Sequence, residues 1–202
     1  MPVLSDTQVT DYHRDGYVLV RQVLDAEEAD LLGRAAREDR ELDRRSQGRA
    51  DGEGGSVRMS LWNQPGNGIY GMVARSRRIV DSMEKILNGE VYHYHSKMIL
   101  KDPEVGGAWT WHQDYGYWYQ NGVLWPRLVS ATVAVDAATP ENGCMQFLKA
   151  SHKLERIDHV LSGDQAGADM ERVNEAIERG EEVADSFILC GEERCVQVAR
   201  VG

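Results

Sequence analysis

The sequence predicts a mainly β fold with helical cover, an antiparallel barrel or jelly roll, and three observations carry that expectation. Apolar residues recur with a helical period towards both ends of the chain. The middle switches to runs rich in β-branched residues, and those runs are short and joined by turn residues. At 202 residues the chain is expected to form one domain with a real hydrophobic core. Its expected layout is N-terminal helices over about 5–90, a β core over about 91–150, and a helical insert with a truncated end over 151–202.

The elements follow in order. "SDTQ" (Ser5 to Gln8) has the form of a capping box, and Val9, Tyr12 and His13 continue at helical spacing, which predicts a short first helix. "GYVLVRQVL" (Gly16 to Leu24) is rich in β-branched residues and reads as a strand. From Asp25, a natural N-cap, "DAEEADLLGRAAREDRELDRR" is amphipathic, with Ala29, Leu31, Leu32, Ala35 and Ala36 on its inner face. "SQGRADGEGGS" is too rich in glycine and charge to pack and is expected to be a mobile loop. "SRRIVDSMEKILNG" predicts a helix with Ile79, Val80, Met83, Ile86 and Leu87 inward and Gly89 as its left-handed cap. The basic "ARSRR" at its head reads as a solvated face.

"VYHYHSKMIL" (Val91 to Leu100) alternates as a strand does. One face carries Tyr92, Tyr94, Ser96 and Met98, the other His93, His95, Lys97 and Ile99; neither is wholly apolar, so one side is expected to look into a polar cavity. "LVSATVAVDAA" (Leu128 to Ala138) is the strongest strand, and "NGCMQFL" (Asn142 to Leu148) is a shorter one across the "TPENG" turn. "ADMERVNEAIERG" returns to helix with Val173, Ala176 and Ile177 inward, and "EEVADSFILCGEERCVQVARVG" has no readable period.

Composition narrows the function. There are 33 acidic against 23 basic residues, a formal net charge of −10, and no basic stripe, so nucleic acid is not expected as a partner. No run approaches about 18 apolar residues, and charges stand where a signal peptide would need its apolar region. A cytoplasmic protein with no membrane partner is therefore expected. Cys144, Cys190 and Cys195 form no CxxC pair and read as reduced, mostly buried thiols.

The chemistry concentrates in "GGAWTWHQDYGYWYQNG" (Gly106 to Gly122). If this stretch is extended, the period of two puts His112 and Asp114 on one face, where an imidazole and a carboxylate can bind one ion at adjacent positions. Zinc suits such a pair, and the two-histidine, one-carboxylate triad of non-haem iron oxygenases begins with the same spacing. The alternative is a histidine that merely bonds Asp114 or a backbone group at a strand end. Gly106, Gly107 and the aromatic residues Trp109, Trp111, Tyr115, Tyr117, Trp118 and Tyr119 describe a lined cavity around the pair.

"WTWHQDYGYWYQNG" followed by "SATVAVDAATPENGCMQFLKASHK", with "VTDYHRDGYVLVRQVLDAEEADLL" near the start, resembles the phytanoyl-CoA dioxygenase family. The resemblance implies a double-stranded β-helix and an Fe(II)- and 2-oxoglutarate-dependent dioxygenase. Such an enzyme uses O2 to hydroxylate a small organic substrate and decarboxylates 2-oxoglutarate to succinate. It implies His112 and Asp114 as the first two iron ligands, Lys97 and His95 beside the 2-oxoglutarate, Trp118 bordering that co-substrate and Thr132 pointing into the barrel. Ordinary roles stand beside these: a snorkelling lysine, a satisfied histidine and a packed tryptophan.

His152 is expected to be structural, because the family's second iron histidine comes later, beside a Gly-Asp turn, and is followed by an arginine that clamps 2-oxoglutarate. No histidine follows His159 here, and neither Arg194 nor Arg200 stands in that context. The third iron ligand and the clamp are thus not found, and the chain is expected to be incomplete at its carboxyl end, with barrel strands missing. Two rivals to the oxygenase are a non-catalytic or truncated β-barrel module that binds a small molecule or partner, and a zinc hydrolase, the latter weakened because no general-base glutamate sits near HQD. Asp114 favours hydroxylation over halogenation. The cluster Tyr115 to Tyr119 with Trp125 suggests a partly apolar or planar substrate; substrate identity and oligomeric state are not encoded legibly.

Overall fold

The computed structural model describes residues 4–102, 106–179, 183–185 and 195–201. The amino-terminal part alternates helix and strand: α1 (Asp6–Asp15), β1 (Tyr17–Arg21), α2 (Ala26–Glu38), α3 (Arg40–Arg45), β2 (Gln47–Ala50), β3 (Ser56–Trp62), α4 (Ile69–Ala74) and α5 (Arg77–Leu87). Then come β4 (Ser96–Leu100), α6 (Asp114–Gln120), β5 (Leu128–Val133), β6 (Gln146–Leu148), β7 (His159–Ser162), β8 (Gln165–Ala168), α7 (Met170–Glu178), β9 (Val183–Asp185) and β10 (Cys195–Val201). Among the described residues the ladders link the strands into four antiparallel sheets, in the orders β1-β10-β5, β2-β3-β4, β6-β9 and β7-β8.

The first helix forms as its capping box dictates. Ser5 Oγ accepts the Gln8 N–H at 3.2 Å, and Gln8 Oε1 accepts the Ser5 N–H at 2.9 Å. Gly16, at φ 88°, ends the helix in the left-handed conformation a Cβ would resist. Asp25 and Glu28 repeat the box on α2. The apolar stripes then meet: Tyr12, Val18, Val20, Val23, Ile79 and Ile86 are buried together, and Val129, Ala131 and Val133 of β5 pack against them. Because side chains alternate along a strand, the same burial turns Ser130 and Thr132 to the opposite side of β5.

Several expectations are corrected. The helix from Asp25 breaks at Asp39, whose carboxylate accepts the Glu41 and Leu42 N–H groups and starts α3, a side chain competing with the helix for backbone donors. Leu31 lies on the outer face, 52% exposed. The expected loop at 46–56 holds β2 and a buried carboxylate, Asp51, which accepts the N–H groups of Glu53, Gly55 and Ala108. That last donor, distant in sequence, ties the turn to the loop before HQD. Asn88 rather than Gly89 takes the left-handed cap of α5, at φ 50°.

Arg75 and Arg77 are exposed as expected, but Arg78 is half-buried: it donates to the Val23 carbonyl at 2.6 Å and pairs with Glu28. The strand expected from Val91 starts only at Ser96. The unreadable final segment contributes β9, which pairs with β6, and β10, which lies between β1 and β5. Cys144 is half-buried; Cys190 and Arg194 lie outside the described residues.

Candidate metal centre

The HQD motif does not sit on a strand, which corrects the sequence expectation. Residues 108–113 belong to no strand or helix, Gln113 (φ −108°, ψ 116°) caps α6, and Asp114 is the first residue of that helix. The turn from extended backbone into helix nonetheless swings the two side chains together, with His112 Nε2 3.1 Å from Asp114 Oδ1. They are 29% and 24% exposed, so solvent ions reach a pair that the fold largely surrounds.

The protons on His112 follow from its neighbours. Nδ1 lies 3.0 Å from the Thr110 carbonyl oxygen, which can only accept, so Nδ1 carries the hydrogen and donates it. In the neutral ring the lone pair of Nε2 then faces a carboxylate oxygen, an arrangement a shared cation relieves. Metal bonds of about 2.1 Å at near a right angle put adjacent ligand atoms about 3 Å apart. The observed spacing and donor set therefore fit one ion.

Asp114 stays anionic. Burial pushes its carboxyl upward, but the bond and charge of His112 when its ring carries both protons, the Lys97 ammonium and the Ser130 hydroxyl outweigh that and hold it at about 2. Ser130 Oγ donates to Oδ2 at 3.3 Å. The carboxylate thus feels a strand residue from each of two sheets, Lys97 on β4 and Ser130 on β5.

Of the remaining predicted residues, Lys97 and His95 lie close enough to Asp114 for their charges to interact. Lys97 Nζ lies over the Trp109 ring at 5.2 Å, and that ring lies 6.3 Å from His112. His95 packs on Trp118 with ring centroids 5.0 Å apart, and Trp118 in turn meets Tyr94 at 5.1 Å and Tyr117 at 4.8 Å. Among the described residues, His95 Nδ1 is buried without a hydrogen-bond partner. Burial, then the Lys97 ammonium, holds its pKa below the usual histidine range. Thr132 shares the Ser130 side of β5. Trp125, expected with the aromatic cluster, is instead 75% exposed.

His159 is a further histidine near the pair, to which the sequence reading gave no role. It lies on β7 close enough for its field to interact with those of His112 and Asp114, yet both of its ring nitrogens are bonded, Nδ1 to the Ile157 carbonyl and Nε2 to the Gln113 N–H, each at 3.0 Å. Only its distance from HQD in sequence hid it. His152 donates from Nε2 to the His13 carbonyl at 3.1 Å, at the end of α1. Among the described residues no three His, Cys, Asp or Glu side chains converge on one point.

Residues 12–184 match the family profile of phytanoyl-CoA dioxygenase (PhyH). The chain belongs to this family. Over 84 residues it is 32% identical to an L-proline trans-4-hydroxylase of Streptomyces griseoviridis, covering 41% of this chain and 31% of that protein. Over 154 residues it is 29% identical to an ectoine dioxygenase of Bordetella parapertussis, covering 74% of this chain and 50% of the relative. Two structures of EctD from S. alaskensis share the fold. The one with 2-oxoglutarate and 5-hydroxyectoine has a TM-score of 0.78 at 21% identity, and the one with bound Fe has 0.79 at 20%. Each alignment covers 100% of this chain and 69% of EctD. The family member described here thus spans about half the length, or less, of the curated relatives it matches. None of its described helices is long and apolar enough to cross a membrane.

Proposed function

We propose that this chain carries the metal centre of an Fe(II)- and 2-oxoglutarate-dependent dioxygenase that hydroxylates a small organic substrate. The observation that carries the reading is the 3.1 Å approach of His112 Nε2 to Asp114 Oδ1, with the far nitrogen of the imidazole tied to Thr110. His112 would supply a neutral nitrogen and Asp114 an anionic oxygen. Bound there, iron would supply the O2 chemistry that couples decarboxylation of 2-oxoglutarate to succinate with hydroxylation.

The chain's own residues bind and orient. The Lys97 ammonium pairs with a carboxylate of 2-oxoglutarate. His95 and Trp118 wall the co-substrate, and Thr132 offers it a hydroxyl from β5. The relatives, a hydroxylase of L-proline and a dioxygenase of ectoine, support a small solute as substrate. The same reading makes residues 1–202 one oxygenase domain on a double-stranded β-helix, working in the cytoplasm without nucleic acid or membrane.

The test is anaerobic Fe(II) titration, then succinate formation from 2-oxoglutarate in air, for the wild type, His112→Ala and Asp114→Asn. Metal uptake and succinate in the wild type, each lost in both variants, is the expected result. A second reading, a non-catalytic binding module, draws on the lack of a third donor among the described residues. Binding of 2-oxoglutarate without succinate would favour it.

A further inference from the structure

The residue between the two candidate ligands is bonded at three points to one segment. The Gln113 N–H donates to His159 Nε2 at 3.0 Å, its Oε1 accepts the Ile157 N–H at 2.9 Å, and its Nε2 donates to the Glu155 carbonyl at 3.2 Å. His159 Nδ1 donates to the Ile157 carbonyl, which leaves the lone pair on Nε2 to face Gln113. Helix α6 lies so close to this segment that a Cβ on Gly116 would come within 2.3 Å of the Ile157 oxygen and 2.4 Å of His159 Cε1.

The β7-β8 hairpin holds the loop upstream of HQD as well. Gln165, buried, accepts the Thr110 N–H and donates to the Ala108 carbonyl, both at 3.0 Å, and the Ala168 N–H donates to the Trp111 carbonyl at 2.7 Å. The stretch that bears His112 and Asp114 is therefore fastened at Ala108, Thr110, Trp111 and Gln113. Its two reactive side chains are left free of that fastening.

We propose that Gln113 and His159 are positioning residues, a latch that fixes the backbone between His112 and Asp114 so that their donor atoms converge before any metal arrives. The inference rests on reading those two as ligands. Neither latch residue would hold the metal: the Gln113 side chain is bonded into the 155–157 segment, and both His159 nitrogens are occupied. Removing an outer-shell partner of this kind weakens metal binding by about 10–100-fold, because the ligands must then be ordered on binding.

The experiment titrates the whole chain with Co(II), read by visible absorption, and follows amide hydrogen exchange without metal. It compares the wild type with Gln113→Ala, His159→Phe and, as a remote control, Ser5→Ala. We expect about 10–100-fold weaker Co(II) binding in both latch variants. Exchange should rise jointly over 110–116 and 155–159, while α1 and β1 keep their protection. Co(II) affinity in Gln113→Ala no weaker than in Ser5→Ala overturns the latch alone. A wild type that takes up no Co(II) overturns the ligand reading and the latch with it.

Discussion

His95 and His159 are two imidazoles that the fold prefers neutral. Burial, then Lys97, lowers the pKa of His95; burial lowers that of His159, against the opposing bond to the Ile157 carbonyl. The unfolded chain takes up these protons near the ordinary value of about 6.5, and the folded chain only at lower pH. Stability is therefore fully present above about pH 6.5 and lost as the pH falls from there through the folded values. Urea midpoints measured across this range should fall on acidification, and His95→Gln should flatten the slope. Ser130→Ala removes a donor to Asp114 and should weaken Co(II) binding several-fold, with little change in the thermal midpoint. These residues differed in legibility. His112 and Asp114 stand two apart, and Lys97 and His95 alternate on a stretch with no apolar face, but spacing alone left a structural role open and the resemblance to the family singled them out. His159 and Ser130 act through contacts across the fold, which no local pattern records.

At the scale of elements, the helices with caps were readable because each cap is a local bargain between a side chain and the backbone a few residues on. Asp25→Ala should cost about 1 kcal/mol of unfolding free energy, by loss of the N-cap of α2. What sequence pattern missed were elements settled from afar. Strand β2 depends on Asp51, which takes a hydrogen bond from Ala108, and α6 starts where the 155–159 segment binds Gln113. Gly116 carries the mark of that packing. Gly116→Ala should destabilise by about 1–3 kcal/mol through overpacking, even though alanine is the better helix former, and a thermal melt gives the sign. A neutral or stabilising outcome would mean the segment can retreat at no cost.

Across the whole molecule, β2 and β3 fall within the stretch expected to hold the N-terminal helices, and the closing segment was not readable, because β10 reveals itself only by its neighbours. It pairs with β1 from Tyr17 to Arg21 on one side and with β5 from Leu128 to Val133 on the other. Deleting residues 195–202 strips both ladders at once, and loss of the cooperative unfolding transition by circular dichroism is the expected result.

The placement of β10 also sets a timetable. Synthesis delivers β1 first among the strands and β10 last among those described, yet they are neighbours, so one sheet cannot assemble until nearly the whole described chain has left the ribosome. A nascent chain that has emerged only as far as α7 carries β1 and β5 with open edges. Folding of this sheet must be slow relative to the local helices, and in that interval the chain is open to aggregation and to capture by chaperones.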